Sequence, residues 1–388
     1  MSATVTGFRA CGRAGVARAM TRAGAICASL SRPALPRFAW RRGALPAAVA
    51  LALVPGPLWA QDPGDAPTPA AIVAAAPPSD WRAIDPADLL VMTLTPDANG
   101  RERQTIIQLL PRPFSRGWIE NVRILAREQW WDGTSVYRVA DNWVAQWGAG
   151  HDAMRVENPP PAPANPLPKP LPAGLRVLAG DDIAAPIEPG PEDGRDYVLT
   201  PERHEVVINR WIDPYAITAF IAGWPVGLDE DGGRTAWPVH CYGSVGVAHS
   251  AIEPADTNIG ASSGAAANSG AELYVVIGHA PRQLDRNSPI VGRVIEGIEH
   301  LASLPRGTGE AGAYADRSEH APIVSVRLGS DLPESERPRF EYLASESDSF
   351  ARYLHLRANR SDGLYRVPAR GVDVCNAPVP IRRGKEAP

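Results

Sequence analysis

Short β-prone runs separated by turn residues are the feature that most restricts how this 388-residue chain can fold. Leu89–Thr95 and Thr105–Leu110 flank a glycine-containing turn and are expected to form a hairpin. Leu273–Ile277, Ile290–Val294 and Ile323–Leu328 are runs of the same kind. Since many short strands need partners on both edges, the pattern favours a mainly β chain with a closed antiparallel sheet.

Few helices accompany these strands. Phe114–Arg127 carries apolar residues at roughly helical spacing and follows Pro113, which predicts a helix. A second helix is expected over Glu296–Leu304, and a helix-like stretch lies near Ser345–Asn359.

The first 60 residues have the composition of a targeting segment. They contain eight arginines and no Asp, Glu or Lys. Arg41 and Arg42 precede the apolar run Gly43–Val54, which is too short to span a bilayer core of about 30 Å. A motif typical of signal-peptidase cleavage ends at Ala60. The prediction is a cleaved signal peptide and a periplasmic protein; the alternative is a disordered tail on a cytosolic protein.

The composition of the rest of the chain indicates its charge and its division into regions. The whole chain has a net charge of −4, so the part after the basic leader is acidic, which argues against a nucleic-acid partner. Residues 61–80 are expected to form a disordered linker and 81–330 the folded domain, with a proline-rich insertion at about 151–238. Residues 331–388 are expected to be a C-terminal extension packing on the barrel. We expect a monomer without stable membrane insertion.

Cys241 and Cys375 are the cysteines that remain beyond the leader. They could form one disulfide, which would fold the C-terminal extension back near Val239–Gly243, or remain two buried thiols. Zinc is not expected, because no Cys-x-x-Cys or His-x-x-x-His spacing accompanies them.

Residues 130–148, WWDGTSVYRVADNWVAQWG, form the most informative segment. It resembles the core motif of cyclophilins, with Tyr137-Arg138-Val139 before a turn and Trp143-Val144-Ala145-Gln146 after it. Three later blocks resemble the same family in the same order: residues 246–249, GVAH; residues 268–278, NSGAELYVVIG; and residues 284–301, LDRNSPIVGRVIEGIEHL. The resemblance covers residues 86–330.

This resemblance implies an eight-stranded antiparallel barrel capped by two α-helices and a peptidyl-prolyl cis-trans isomerase activity that needs no cofactor. Its substrates would be proline-containing unfolded or flexible polypeptides, here exported proteins during their folding. It assigns Arg138 and Gln146 as the catalytic pair. The substrate-binding residues implied by the resemblance are Trp143, Val144, Ala248, His249, Glu272, Tyr274 and Leu284.

Departures from the family pattern support a second hypothesis. Trp143, Glu272 and Ser288 stand where the family commonly has phenylalanine, glutamine and histidine. They suggest a catalytically weak cyclophilin-like module that binds peptides or acts as a chaperone in the cell envelope.

Two further patterns resemble reactive sites. Gly260–Gly264 matches the Gly-x-Ser-x-Gly pattern of hydrolases, but it lacks the strand before it and the helix after it that such a site needs. His240 and Cys241 are adjacent, and neighbouring side chains on a strand point to opposite faces, so the pair is not expected to share a site.

Overall fold

The structure is a computed structural model. It describes residues 67–149, 170–176, 178, 183–189, 197–199, 204–209, 213–229, 235–248, 268–362 and 364–384. These belong to one compact unit, Ala60–Pro388. The predicted leader, His249 and the Gly260–Gly264 motif lie outside the described residues. In the described part, no helix is long and apolar enough to cross a membrane.

The regular elements are numbered in chain order. The helices are α1 Pro69–Ala75, α2 Arg116–Arg127, α3 Glu299–Ala302 and α4 Asp348–Ala358. The strands are β1 Trp81–Ala83, β2 Leu89–Leu94, β3 Arg103–Leu109, β4 Ser135–Val139, β5 Val144–Gly148, β6 Ala185–Pro189, β7 Tyr197–Leu199, β8 His204–Asn209, β9 Ile217–Ile221, β10 Trp224–Leu228, β11 Thr235–Pro238, β12 Ser244–Val247, β13 Leu273–Val276, β14 Ile290–Glu296, β15 Ala321–Leu328, β16 Phe340–Leu343 and β17 Ile381–Arg383.

Eight of these strands close into an antiparallel barrel in the order β12-β13-β5-β4-β15-β2-β3-β14, and β14 pairs with β12. The expected hairpin is the β2–β3 pair. Residues with period-two spacing fill the interior, among them Ala145 and Trp147 on β5 and Leu273 and Val275 on β13. The prediction of a closed eight-stranded antiparallel barrel is confirmed.

Helix α2 packs on this barrel through a buried apolar stripe. The stripe contains Trp118, Val122 and Leu125, which recur at the helical period predicted from the sequence. Helix α3 is shorter than the expected Glu296–Leu304, because β14 continues to Glu296 and the chain then turns at Gly297. Gly297 has φ of 79°, and a Cβ there would lie 2.1 Å from the carbonyl oxygen of Gln104, so only glycine fits.

A second barrel occupies much of the segment that was predicted to be a proline-rich insertion, at about 151–238. Strands β6 to β11 form a closed sheet in the order β10-β11-β6-β7-β8-β9. Ala219 and Ile221 on β9 and Val226 and Leu228 on β10 are buried apolar residues with period-two spacing. The described part of this insertion therefore folds into a barrel of its own, which was not predicted from the sequence. Its strands are only three to six residues long, and so short an alternation is a weak sequence pattern.

The segments flanking the barrels pack together. The linker expected over 61–80 contains helix α1 in its described part, so the prediction of disorder is wrong there. Strands β1, β16 and β17 form a three-stranded sheet. Helix α4 packs on the second barrel, where the rings of Phe350 and Phe220 meet edge to face at 5.0 Å between centroids. The C-terminal segment, residues 331–388, contributes β16 and β17 to the three-stranded sheet, and β1 from the region before the first barrel completes it.

Cys241 and Cys375 are joined by a disulfide. It links the residues just before β12 to the C-terminal segment, 134 positions further along the chain. The sequence left this pairing open. Cys375 lies in a single 3₁₀ turn, Val374–Asn376, whose packing would otherwise depend on a few apolar contacts.

Replacing both cysteines with alanine is expected to lower the free energy of unfolding by about 2 to 4 kcal/mol, because a cross-link over a long loop restricts the unfolded chain. Urea unfolding of the double variant beside the wild type measures this difference. Alkylation without reductant should leave Cys241 and Cys375 unmodified in the wild type; alkylation of both would contradict the disulfide.

Candidate active site

A row of residues crosses four adjacent strands on the outer face of the eight-stranded barrel. Arg138 on β4 is directly opposite Gln146 on β5, Gln146 is opposite Tyr274 on β13, and Tyr274 is opposite Gly246 on β12. Directly opposed residues of antiparallel strands share one face, so the register places these residues side by side. The sequence-predicted catalytic pair and one predicted wall residue therefore meet at neighbouring positions.

A β-bulge between Val136 and Arg138 shapes this row. A bulge lets two consecutive residues oppose one partner, and here it turns Tyr137 toward Gln146. The Gln146 Nε2 donates to the Tyr137 hydroxyl at 2.5 Å, and that hydroxyl donates to the Glu272 carboxylate at 2.8 Å. Since the Tyr137 hydroxyl accepts a hydrogen bond from the Gln146 amide nitrogen, the amide oxygen faces Arg138, whose Nη1 donates to it at 3.1 Å.

Glu272 lies beneath the site rather than in its apolar wall. Its carboxylate accepts hydrogen bonds from the Tyr137 hydroxyl and the backbone N–H of Ala149, and it is 1 % exposed. Burial and the Glu272 charge hold the pKa of Tyr137 well above its ordinary value, so Tyr137 stays a neutral donor. Glu272 thus orients Tyr137 and, through it, Gln146, a role that the family resemblance did not indicate.

The Arg138 guanidinium is held on several sides. Its Nε donates to the carbonyl oxygen of Ala311 at 2.7 Å, and its Cζ lies 4.8 Å from the ring centroid of Trp143. Arg138 is 7 % exposed, and this burial lowers its pKa. Arginine starts from so high a pKa that the group remains charged. The result is a fixed cation over an aromatic face.

An apolar cluster adjoins the guanidinium. Val144, Tyr274 and Val276 are its buried members, and partly exposed residues pack against them: Trp143, Ala248 and Leu284. Five of these six were predicted as substrate-binding residues, and Val276 was not. The cluster has a buried floor and a partly exposed rim, which suits a small apolar group entering from solvent.

Gly246 makes room for the Tyr274 ring. A Cβ at Gly246 would lie 2.4 Å from Cζ and from the hydroxyl oxygen of Tyr274.

We expect Gly246→Ala to push the ring aside and to lower the free energy of unfolding by about 1 to 3 kcal/mol, as overpacking does. Urea unfolding measures the change. Tyr274→Leu in the same chain should relieve the clash, so fully additive losses would contradict this account.

Nothing in the sequence indicated that polar residues support Tyr274 from behind. The Tyr274 hydroxyl lies 2.8 Å from His240 Nε2 and 2.8 Å from Ser288 Oγ. His240 Nδ1 lies 3.0 Å from Asp285 Oδ1. His240 and Cys241 point to separate partners, as expected for adjacent positions. No local pattern links His240 with Tyr274, because 34 residues separate them in the chain.

Burial holds the pKa of Tyr274 well above its ordinary value, with a further contribution from the Asp285 charge and an opposing hydrogen bond from Ser288. The phenol is therefore neutral at physiological pH, and the wall it forms carries no charge.

Comparison with solved structures gives a related architecture. The cyclophilin AquaCyp293 from Hirschia baltica is similar over 82 % of this chain and 98 % of its own, with a TM-score of 0.52 and 20 % sequence identity. A cyclophilin-type peptidyl-prolyl cis-trans isomerase from Cryptosporidium parvum, determined in the presence of the dipeptide Ala-Pro, matches 61 % of this chain and 98 % of its own at 10 % identity; its TM-score of 0.29 is too low to support an argument.

No family model matches the sequence, and no curated protein does. The similarity is therefore carried by three-dimensional structure. With the closed eight-stranded barrel and its helix α2, it confirms the resemblance found in the sequence at the level of architecture: the chain has a divergent cyclophilin-like fold.

Proposed function

We propose that this chain is a peptidyl-prolyl cis-trans isomerase whose central residue is Arg138. The observation that carries the proposal is the juxtaposition of a fixed guanidinium with an apolar cluster. Arg138 bonds to Gln146 and stacks over Trp143, and Trp143 belongs to the cluster around Tyr274. A cation beside an apolar cluster fits an X–Pro bond, which combines an apolar ring with an amide.

The chemistry needs only non-covalent groups. An X–Pro bond isomerises in tens to hundreds of seconds, because rotation breaks the amide resonance. In the twisted transition state the prolyl nitrogen is pyramidal and carries a basic lone pair. A guanidinium beside that nitrogen interacts with the lone pair more strongly than with the planar amide, which is the condition for catalysis.

The surrounding residues would place the substrate. The prolyl ring would enter the cluster of Trp143, Val144, Tyr274 and Leu284, where its burial removes apolar surface from water. Gln146 would bond to the substrate backbone beside Arg138, since an amide carries two N–H donors and Tyr137 takes one of them. Ala248 would contact the backbone on the opposite side.

The direct test measures the rate of exchange between the cis and trans forms of a proline-containing tetrapeptide. The rate is obtained from NMR line shapes or exchange peaks of the peptide, with and without the full chain. We expect faster exchange at substoichiometric protein, together with shifts of the Trp143 and Tyr274 resonances. Unchanged exchange combined with absent shifts would refute both catalysis and peptide binding at this site.

A catalytically weak peptide-binding module is the second candidate. It is favoured by the bonds that Arg138 already makes, since its Nε is engaged by Ala311 and its side chain is 7 % exposed. A substrate would then have to compete with groups of the protein. The same NMR experiment separates the two candidates, because a binding module shifts the Trp143 resonances without accelerating exchange.

The disulfide supports a role outside the cytoplasm. Such bonds persist in oxidising compartments and are rare where thiols are kept reduced. With the basic leader, Cys241–Cys375 is consistent with export, so the proposed clients are exported polypeptides that fold through slow proline isomerisation.

A further inference from the structure

His240 lies in the segment that follows the last strand of the second barrel, and it contacts the wall of the candidate site in the first barrel. It lies two residues after strand β11 of the second barrel, and its side chain is fully buried. Its Nε2 meets the hydroxyl of Tyr274, a residue of the first barrel, at 2.8 Å. The two rings are nearly parallel, with 13° between their planes.

Asp285 fixes the orientation of this imidazole. Its Oδ1 accepts from both the backbone N–H and the Nδ1 of His240, at 2.9 and 3.0 Å. Because a carboxylate only accepts, Nδ1 carries the proton in this contact and Nε2 is directed at Tyr274. The Ser288 Oγ lies 2.8 Å from the Tyr274 hydroxyl and 2.9 Å from the carbonyl oxygen of Val247, and it can donate its single proton to one of them at a time. The Tyr274 phenol is thereby held at its polar end by two partners.

The support continues into the second barrel. Arg282 donates from Nε to Asp285 Oδ2 at 2.6 Å and from Nη1 to Asp213 Oδ2 at 2.8 Å. Asp213 precedes strand β9, and the Arg282 guanidinium also lies 5.0 Å from the ring centroid of Tyr215. These buried groups form a continuous polar chain from the second barrel to Tyr274.

We propose that His240 is a positioning residue for the peptide site, and that the segment leading from the second barrel to β12 completes the site by supplying it. The inference rests on the proposed function in one respect only, namely that Tyr274 touches the substrate. An unsupported tyrosine could rotate about its side-chain bonds, while the contacts with His240 and Ser288 hold the ring flat over Gly246. A fixed ring offers a preformed wall, which lowers the entropy lost on binding.

The kinetic test uses the full chain with a proline-containing tetrapeptide. We expect His240→Ala to lower kcat/KM about tenfold, mainly through a higher KM, and His240→Gln to recover part of that loss because its amide can still meet the hydroxyl. In a Tyr274→Phe background, where that hydroxyl is gone, His240→Ala should change kcat/KM less than twofold. His355→Ala, at an exposed position of α4, is the matched control and should leave the rate unchanged. Equal losses in both backgrounds would overturn the proposal.

A second readout does not depend on catalysis. In protein labelled with ¹³C at tyrosine rings, the signal of Tyr274 is assigned by its loss in Tyr274→Phe. The wild type should show slow ring flipping, and His240→Gln should speed the flipping or shift the signal. An unchanged Tyr274 signal in a folded His240→Gln protein overturns the positioning role. Slow flipping of the Tyr274 ring in a wild type without isomerase activity would refute the proposed function but not the positioning role of His240.

Discussion

Arg138→Ala is expected to lower kcat/KM for a proline-containing peptide by about 100- to 1,000-fold, the usual effect of removing one preorganised donor from a transition state. The guanidinium would face the prolyl nitrogen, and its contacts with Ala311 and Gln146 hold it in place before substrate arrives. No neighbouring cation is positioned by the strand register to replace it, since the residues opposite and beyond Arg138 in the described row are Gln146, Tyr274 and Gly246.

Arg138→Lys should recover little of this loss. A lysine ammonium is a point charge and cannot reproduce the planar fork that bonds to two groups at once. Arg116→Ala is the matched control, because Arg116 lies on α2 with an exposed side chain paired to Glu120 and should not affect the rate. Similar rates for the wild type and Arg138→Ala would refute the catalytic role. Loss of rate with retained peptide binding would support it most directly.

Arg282→Leu is expected to lower the free energy of unfolding by about 3 to 5 kcal/mol, the effect of breaking a buried ion pair from one side. Asp213 and Asp285 would keep their charges in an environment where their side chains are 1 % and 8 % exposed. Burial alone would lower the pKa of Arg282, but the hydrogen bonds and charges of Asp285 and Asp213 outweigh it and raise that pKa. The folded state therefore favours the charged arginine.

Urea unfolding measures this loss, and Arg286→Ala provides the control. Arg286 is exposed and stacks on Trp237 at 4.6 Å, so its removal should change the free energy of unfolding by no more than about 1 kcal/mol. Adding Asp213→Asn and Asp285→Asn to Arg282→Leu should restore part of the stability by removing the unpaired charges. A loss below about 1 kcal/mol for Arg282→Leu would show that the hydrogen-bonded residues Asp213, Arg282 and Asp285 contribute little to the stability of the packed barrels.

The predictions from sequence succeeded where the pattern is local. Runs such as Leu273–Ile277 and Ile323–Leu328 are strongly apolar, and the structure has strands there, Leu273–Val276 and Ala321–Leu328. The roles proposed for Arg138 and Gln146 remain predictions, but their expected proximity follows from a turn between two strands, which brings residues eight positions apart into register. The second barrel was not predicted. Its strands are only three to six residues long and lie beside proline-rich stretches, so the alternation of apolar and polar residues along each one is too short to recognise.

The sequence by itself determined the strands at Leu273–Val276 and Ala321–Leu328, the likeness of residues 130–148 to a cyclophilin core, and the face of β5 on which Gln146 lies, opposite to that of Ala145 and Trp147. Arg138 reaches the face of Gln146 only through the β-bulge after Val136, which the structure revealed. Alternation along a strand assigns each side chain to a face without knowledge of the rest of the chain. Only the tertiary structure decided that Glu272 supports Gln146 through Tyr137 and that His240, in the segment between β11 and β12, holds Tyr274. The Tyr137–Glu272 and His240–Tyr274 contacts join residues 135 and 34 positions apart, and such pairs meet only when distant segments of the chain pack together.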